Sequence, residues 1–337
     1  LRTFDVGVAP YDVVLVGDRA VVSNWGGRRP GKDDLVGPAG RGITVRVDPV
    51  RYIANEGSIS IVALSGDAPT VEIVTGLHAS ALAASPDSEY VVCANAGSDF
   101  LSIVHVKSAK IVDTVWVKSN PADLFGASPN ALAFAPDGER LYVANGTQNA
   151  IAVMDWDPED KGETRLVGLV PVGWFPGAVV VDAKRNSLYV ANIKGLPITP
   201  QENKETGGKG FNSHHYHGSV SLVPIPGDDE LPKWSERVAK NLRRGNIAQA
   251  ALPPRSNQPP RPVPQRIGEP SVFKHVVYVI KENRTYDQVL SDMTDAKGRP
   301  IGNGDTNLLM YGQKVTPNQH QIARDYVLFD NFYCNSE

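Results

Sequence analysis

Short apolar runs separated by turn residues recur along the first two thirds of the chain. Each copy holds an apolar strand, a Pro-Asp-Gly-like turn, a second apolar strand that ends in Asn, and a third strand with alternating polar positions. A fourth apolar run follows, as at 71–74 and 111–115. Pro-Asp and Asp-Gly provide turn geometry, whereas Val, Ile, Tyr and Leu favour strands. Four antiparallel strands per repeat predict the blades of a β-propeller, so the fold class is mainly β.

Two insertions, at 26–57 and 195–217, interrupt the repeats between their second and third strands. Both are expected to project from the same end of the propeller, where long loops commonly carry binding residues. Four copies are few for a closed ring, and the chain opens in strand-like sequence at Leu1. We therefore expect further blades before Leu1.

The amino-acid motifs within the repeats resemble those of a known family. Leu-Tyr-Val-Ala-Asn stands at 141–145 and again at 188–192, with Ser-Pro-Asp at 85–87 and Ala-Pro-Asp-Gly at 135–138. These repeats resemble the YVTN family of β-propellers over residues 1–226. The resemblance implies the fold and says little about function, because propellers host many roles.

Residues 227–270 are predicted to form a helix followed by a connector. Asp228 and Asp229 can cap the helix, Gly245 is expected to end it, and apolar residues repeat at steps of three and four on one face. That face consists of Leu231, Trp234, Val238 and Leu242. Seven prolines from Pro253 to Pro270 predict an extended, semi-rigid connector.

Composition removes some classes of function. The 337 residues include 34 Lys and Arg against 37 Asp and Glu, a net charge of −3, which excludes nucleic-acid binding through bulk positive charge. The chain contains no run of 18 apolar residues, so the sequence predicts no transmembrane segment. The two cysteines, Cys93 and Cys334, leave the redox compartment open. Cys93 takes a strand position that Val occupies in later repeats, so we expect an inert buried thiol.

The pattern changes at 275–280, where a nearly continuous apolar run predicts a central strand covered on both faces. The polar segment 281–288 follows, and polar groups at the carboxyl end of such a strand are a usual place for a site. Glu282 and Asn283 offer oxygen ligands for a divalent cation. Arg284 could contact an anion or pair with Asp287. Thr285 could donate to a phosphate oxygen, or it could cap a helix in a plain strand-to-helix turn.

Residues 279–287, Val-Ile-Lys-Glu-Asn-Arg-Thr-Tyr-Asp, resemble the opening strand of the phosphoesterase family. That family contains phospholipase C-like and acid-phosphatase-like enzymes of the alkaline-phosphatase-like superfamily. Residues 302–305, 316–325 and 329–333 are similar to the turn, helix and second strand that follow. The resemblance implies that 271–337 is the N-terminal part of an α/β domain.

By position, the resemblance places Glu282 and Asn283 at a divalent metal ion (Zn, Ca, Mg or Mn) and a phosphate. The family nucleophile follows the second strand, so the resemblance places it one or two residues beyond Glu337, and Ser336 is the alternative inside the chain. The later Asp and His ligands of the family are absent, so we expect this chain alone to be inactive. The resemblance implies metal-dependent hydrolysis of a phosphate monoester, diester or phospholipid by the complete protein, and export to the periplasm or beyond.

Other residues leave a second function open. His214, His215 and His217 could bind Zn or Cu, or could belong to a polar loop. Four tryptophans could pack the blades or form a ligand cage; they are Trp25, Trp116, Trp156 and Trp174. The alternative to an enzyme is a non-catalytic exported propeller that binds a ligand or a protein through insertions 26–57 and 195–217.

Overall fold

The computed structural model describes residues 2–40, 42–121, 126–194, 217–281 and 283–330. The chain divides into two compact units. The first contains the described residues up to position 194 together with 218–245, and the second contains His217 and the described residues from Asn246 onward. The expected Glu282, Ser336, His214 and His215 lie outside the described residues.

The first unit is built from antiparallel sheets in chain order. Three sheets have four strands and a fourth sheet has three, which confirms the prediction of a mainly β fold with repeated four-stranded sheets. We name the sheets blades 1 to 4.

Blade 1 contains β1 (Pro10–Val16), β2 (Arg19–Asn24), β5 (Gly57–Ala63) and β6 (Val71–Thr75). Blade 2 contains β7 (Ala79–Ala84), β8 (Tyr90–Asn95), β9 (Phe100–His105) and β10 (Lys110–Trp116). Blade 3 contains β11 (Pro129–Phe134), β12 (Arg140–Asn145), β13 (Ala150–Asp155) and β14 (Arg165–Pro171). Blade 4 contains β15 (Trp174–Asp182), β16 (Ser187–Lys194) and β17 (Ser219–Pro224).

The core of the first unit lies between neighbouring blades. One apolar cluster joins blades 1 and 2 and includes Ile59 and Cys93. A second joins blades 2 and 3, and a third joins blades 3 and 4. Cys93 is fully buried, which confirms the predicted burial of its thiol, and this burial raises the pKa of the thiol to about 12.

The insertions lie where the sequence predicts them, between the second and third strands of their blades. The first insertion separates β2 from β5 and contains a hairpin of β3 (Val36–Pro38) and β4 (Thr44–Arg46). The second separates β16 from β17, and its residues 195–216 lie outside the described part.

The predicted helix is confirmed as α1 (Leu231–Asn241), which packs on β14. Leu231 and Val238 are buried, and Trp234 and Leu242 pack against the same clusters. The predicted ends are wrong. Asp228 pairs with Arg140 instead of capping α1, and a second helix, α2 (Arg244–Ala251), follows directly.

The Pro-rich segment folds back on itself, so the prediction of an extended connector is wrong. The Arg255 guanidinium donates to the buried Glu269 carboxylate at 2.7 and 3.0 Å, and Ile267 N–H donates to the Ala250 carbonyl at 2.9 Å. Proline removes backbone donors but leaves side chains free to close a loop. The two ends of the segment are therefore held together by an ion pair that proline content does not reveal.

The predicted central strand at 275–280 is also wrong for the described part of the second unit. Val276 to Ile280 are 74–86% exposed and pair with no described strand. A buried parallel strand needs neighbours at both edges and cover on both faces, and the described residues supply neither. This unit contains α3 (Tyr286–Leu290) and α4 (Pro317–Asp325), of which α4 confirms the expected helix at 316–325.

Candidate functional site

The polar segment 281–288 forms a turn into α3. Thr285 Oγ1 accepts a hydrogen bond from Gln288 N–H at 3.4 Å, and Gln288 Oε1 accepts one from Thr285 N–H at 3.3 Å. This reciprocal capping box satisfies two amide groups that a helix start leaves unpaired. Thr285 is therefore a helix cap, and its hydroxyl hydrogen remains available for a second acceptor.

Arg284 does not pair with Asp287. Its guanidinium lies over the Tyr311 ring, 5.2 Å from the ring centroid. Asp287 instead accepts a hydrogen bond from Asp305 N–H at 2.7 Å and so fixes the turn at 302–305. The Arg284 side chain is exposed, which leaves most of its N–H donors facing solvent.

A cavity of about 390 Å³ opens beside Arg284. Its lining consists of Lys281, Arg284, Thr285, Tyr286, Val289, Leu290, Tyr311, Thr316 and Gln319. Among the described residues, the lining includes two positively charged side chains and no carboxylate, together with an apolar wall and two threonine hydroxyls. Such a cavity favours an anionic group at its charged side and an apolar group against its wall.

The predicted site residues are only partly brought together. Arg284 and Thr285 line the cavity, whereas Asn283 is exposed next to it and is absent from the lining. His217 is exposed at the border of the second insertion.

The structure adds a pair of a buried histidine and a half-buried aspartate that the sequence did not indicate. His320 on α4 is fully buried, and its Nε2 lies 2.7 Å from Asp292 Oδ1. Its Nδ1 lies 2.8 Å from the Thr316 carbonyl oxygen. Burial raises the pKa of Asp292, but hydrogen bonds from Gln313 N–H and His320 outweigh burial and hold it below its usual value. Because 28 positions separate Asp292 from His320 in the chain, no local spacing could have revealed the pair.

The described residues do not form a metal site on their own. No group of three or more His, Cys, Asp and Glu side chains among them could hold an ion. Of the expected Glu282 and Asn283 ligands, only Asn283 is described, and one neutral amide does not make a site for a divalent cation.

The first insertion carries a charged network at the propeller end where second strands finish. The Arg28 guanidinium donates to both carboxylate oxygens of Glu56, at 3.0 and 2.8 Å, and Arg46 pairs with Asp34 at 2.7 Å. Burial raises the pKa of Glu56, but the hydrogen bonds from Arg28 outweigh burial and lower it. The network ties the two ends of the insertion to each other.

Exposed rings lie at the same end. Trp25 stacks on His78 with 4.4 Å between ring centroids, and Tyr11 also stacks with Trp25, with 5.6 Å between centroids. Trp25, Trp116 and Trp174 are 36–44% exposed, whereas Trp156 packs between Phe134 and Tyr90. Of the four tryptophans, Trp156 is therefore the one whose role is to pack the blades.

In a comparison with known protein families, one family model matches part of the first unit. The sequence profile of the YNCE-like β-propellers matches residues 46–195, which contain blades 2 and 3 completely. These residues form a YNCE-like β-propeller domain. No curated protein matches the chain.

Several solved structures are similar to this chain at low identity. The Kuenenia stuttgartiensis hydrazine synthase is 18% identical over 67% of this chain, with a TM-score of 0.42. This chain spans 48% of that protein. A candidate 6-phosphogluconolactonase of Bacteroides uniformis is 17% identical over 64% of this chain and 71% of its own, with a TM-score of 0.36. A Lactobacillus plantarum protein is 19% identical over 64% of this chain and 56% of its own, with a TM-score of 0.38.

None of the helices in the described part of the chain has the length and apolar content of a membrane-spanning segment.

Proposed function

We propose that the complete protein hydrolyses a phosphate ester, and that the cavity beside Arg284 receives the phosphate. The observation that carries the proposal is that Lys281 and Arg284, two positively charged side chains, line the same cavity. The resemblance of 279–287 to the phosphoesterase family supports the same chemistry. It also supports an N-terminal phosphoesterase segment over 271–337, fused to the propeller, in an exported protein.

The residues of this chain have separate roles in the proposal. Arg284 donates hydrogen bonds to the phosphate oxygens and neutralises their charge, and Lys281 adds a second positive charge. The Thr285 hydroxyl donates to a phosphate oxygen while its oxygen continues to cap α3. The apolar wall around Val289 and Leu290 holds the organic part of the ester.

A divalent ion with Glu282 and Asn283 among its ligands, and a nucleophile at Ser336 or beyond Glu337, remain part of the proposal. When bound, such an ion would polarise the phosphate and lower the pKa of the attacking hydroxyl. The propeller would shape access to the substrate or bind a protein partner.

Hydrolysis of chromogenic phosphate mono- and diesters by the complete gene product, with and without added divalent ions, tests the proposal. An Asn283→Ala variant is compared with the wild type and with a Lys297→Ala control. We expect ion-dependent turnover that Asn283→Ala reduces by about tenfold or more, which corresponds to about 1.4 kcal/mol. Lys297 is exposed and outside the cavity lining, so its loss should have no effect. Turnover by no ester with any ion, or turnover unaffected by Asn283→Ala, would contradict the proposal.

The alternative function is a binding propeller without catalysis. It is favoured by the ring stack of Tyr11, Trp25 and His78 beside the charged first insertion, in which the Tyr11 and Trp25 rings are exposed and His78 is half-buried. Absence of turnover, combined with ligand-dependent quenching of Trp25 fluorescence that Trp25→Ala removes, would support this alternative.

A further inference from the structure

A second cavity, of about 320 Å³, lies between blades 3 and 4. One wall is the face of blade 3 that carries Tyr142 and Val153, which lie opposite each other on β12 and β13. The other wall is the first hairpin of blade 4, which includes Val181, and the segment 225–231 before and at the start of α1 supplies further lining residues. All of the described lining residues belong to the first unit, so this cavity is separate from the one beside Arg284.

The cavity exists because blade 4 carries smaller side chains than blade 3 does at the matching positions. Between blades 2 and 3, Trp156 packs on Phe134 with 4.9 Å between ring centroids and on Tyr90 with 6.1 Å. In the pairing register, Val181 takes the place of Phe134. Ile225 takes the place of Trp156, because each donates its N–H to the carbonyl six positions before the repeated Asn of its blade. Two aromatic rings are therefore missing at the junction of blades 3 and 4, and space remains there.

Tyr142 is a buried tyrosine that lacks a hydrogen-bond partner. It is 3% exposed and lines the cavity, whereas Val92 takes its position in blade 2. No described residue forms a hydrogen bond with its hydroxyl. Burial raises the pKa of Tyr142, and Arg140 lowers it. Asp137 and Asp228 raise it further, which places the hydroxyl near the charged groups of the cavity. Because buried tyrosine hydroxyls usually have a partner, this one indicates a ligand.

The charges of the cavity lining are unbalanced. Arg140 donates to both carboxylate oxygens of Asp228, at 2.8 and 3.0 Å, and also to Asp155. The positive charge of Arg140 is therefore already matched by two carboxylates. Asp137 and Glu139 also line the cavity, and both are exposed, so they lie at its mouth. No Lys or Arg in the described part of the chain pairs with either of them. An acidic mouth of this kind attracts a cation.

We propose that this cavity binds a small primary ammonium ion with an apolar body. The ammonium group donates to the Tyr142 hydroxyl oxygen and pairs with the carboxylates of Asp137 and Glu139. The apolar body lies against Val181 and Ile225, in the space that aromatic rings fill one blade earlier. The described residues contain no group of three or more His, Cys, Asp and Glu side chains that could hold a metal ion, which favours an organic cation.

Titration of the 337-residue chain with n-butylammonium chloride, followed by saturation-transfer difference NMR, tests the site. The amine carries its proton at neutral pH, as a lysine side chain does. n-Butanol is the neutral probe of similar size, and butyrate is the anionic one. We expect saturable binding of n-butylammonium, binding of n-butanol that is about tenfold weaker or more, and no saturable binding of butyrate.

Two conservative variants test the polar contacts. Asp137→Asn and Tyr142→Phe should each weaken the binding of n-butylammonium by about tenfold or more, because each removes one partner of the charged group. Asp137 Oδ1 accepts a hydrogen bond from Glu139 N–H at 3.0 Å, and an Asn oxygen can still accept it. Asp87→Asn is the matched control, because Asp87 accepts from Glu89 N–H at 2.9 Å in the equivalent turn of blade 2. Tyr142→Phe should leave Tm unchanged, since the lost hydroxyl has no partner in the chain.

A third variant tests the space itself. Val181→Phe restores the ring that blade 3 carries at this position, so it should abolish the binding of n-butylammonium while every charged group remains. Circular dichroism checks that the variant is folded. Binding of n-butylammonium that Val181→Phe leaves unchanged would place the cation elsewhere and overturn the proposal.

The probes and the conservative variants give further outcomes that would contradict the site. The proposal is wrong if n-butylammonium shows no saturable binding, or if n-butanol binds as tightly, since the cavity would then recognise only apolar groups. It is equally wrong if Asp137→Asn and Tyr142→Phe weaken binding no more than Asp87→Asn does, because the cation would then interact with the surface charge of the chain in general.

Discussion

Four asparagines, one per blade, lie at or within two residues of the end of the second strand, and their side chains are buried. Asn95 Nδ2 donates to Ser102 Oγ at 3.0 Å and Asn192 Nδ2 to Ser221 Oγ at 2.9 Å, which ties the second strand to the third. Asn145 Nδ2 instead donates to the Val117 carbonyl at 2.7 Å and to Gln148 Oε1 at 3.0 Å. The repeated Asn was visible in the sequence, but its partners were not, because they differ from blade to blade.

Replacing Asn145 by Ala should destabilise the first unit. The change leaves the buried Val117 carbonyl and the Gln148 amide oxygen without their donor, and an unpaired buried polar group costs about 1–3 kcal/mol. Urea unfolding followed by fluorescence measures the loss. Asn55→Ala is the control, since Asn55 is exposed. Equal stability of the two variants would contradict a role for Asn145 in blade packing.

The ion pair of Glu269 and Arg255 predicts a pH dependence. Hydrogen bonds from Arg255 lower the pKa of Glu269 from 4.5 to about 2. A carboxyl whose pKa is lower in the folded state stabilises the fold above its unfolded pKa, and this stabilisation is lost as the pH falls through the folded value.

The second unit should therefore lose stability between pH 4.5 and about 2 through Glu269. Thermal unfolding over this range should show a smaller acid-induced decrease in Tm for Glu269→Gln than for the wild type. Glu236→Gln, at an exposed position of α1, should behave as the wild type. Identical acid profiles for Glu269→Gln and the wild type would exclude this ion pair as a source of stability.

At the scale of elements, the helix predicted from its 3–4 spacing is correct because its apolar face decides where it packs. Leu231 is 3% exposed and lies against Gly168 of β14, where an added Cβ would come within 3.1 Å of the leucine. Leu231→Ala should reduce stability by about 2–5 kcal/mol, since it leaves a cavity between α1 and β14. Chemical denaturation measures the effect. Val263→Ala is the control, because Val263 is 82% exposed. If Leu231→Ala lowers the free energy of unfolding by no more than Val263→Ala does, the packing of α1 on blade 3 is contradicted.

The strand predicted at 275–280 shows why other elements could not be predicted. An apolar run indicates that a segment has side chains suited to burial. Whether the segment pairs as a strand depends on which other strands lie beside it. Val276 and Val277 have the composition of a central strand, yet they are 83% and 86% exposed. The blade strands were predictable because each finds its partner within the same repeat, so local pattern and tertiary structure agree.

At the scale of the whole molecule, the repeat predicted the blades and the motif at 279–287 predicted part of the cavity. Arg284 and Thr285 line the cavity together with Tyr311 and Gln319, which lie later in the chain. The spacing of these residues in the sequence does not indicate that they line one cavity. The Asp292–His320 pair, which holds α4 against the preceding loop, was likewise invisible. Local turn chemistry was therefore predictable, whereas contacts between distant segments were not.

The central claim, that the cavity beside Arg284 receives a phosphate ester, is tested most directly by calorimetric titration of the chain with 4-nitrophenyl phosphate. We predict saturable binding of one ester per chain, weakened about tenfold or more by Arg284→Gln because a charged hydrogen bond contributes about 1.5–3 kcal/mol. Lys297→Gln should bind as the wild type. No saturable binding, or equal affinity in the wild type and Arg284→Gln, would contradict the claim.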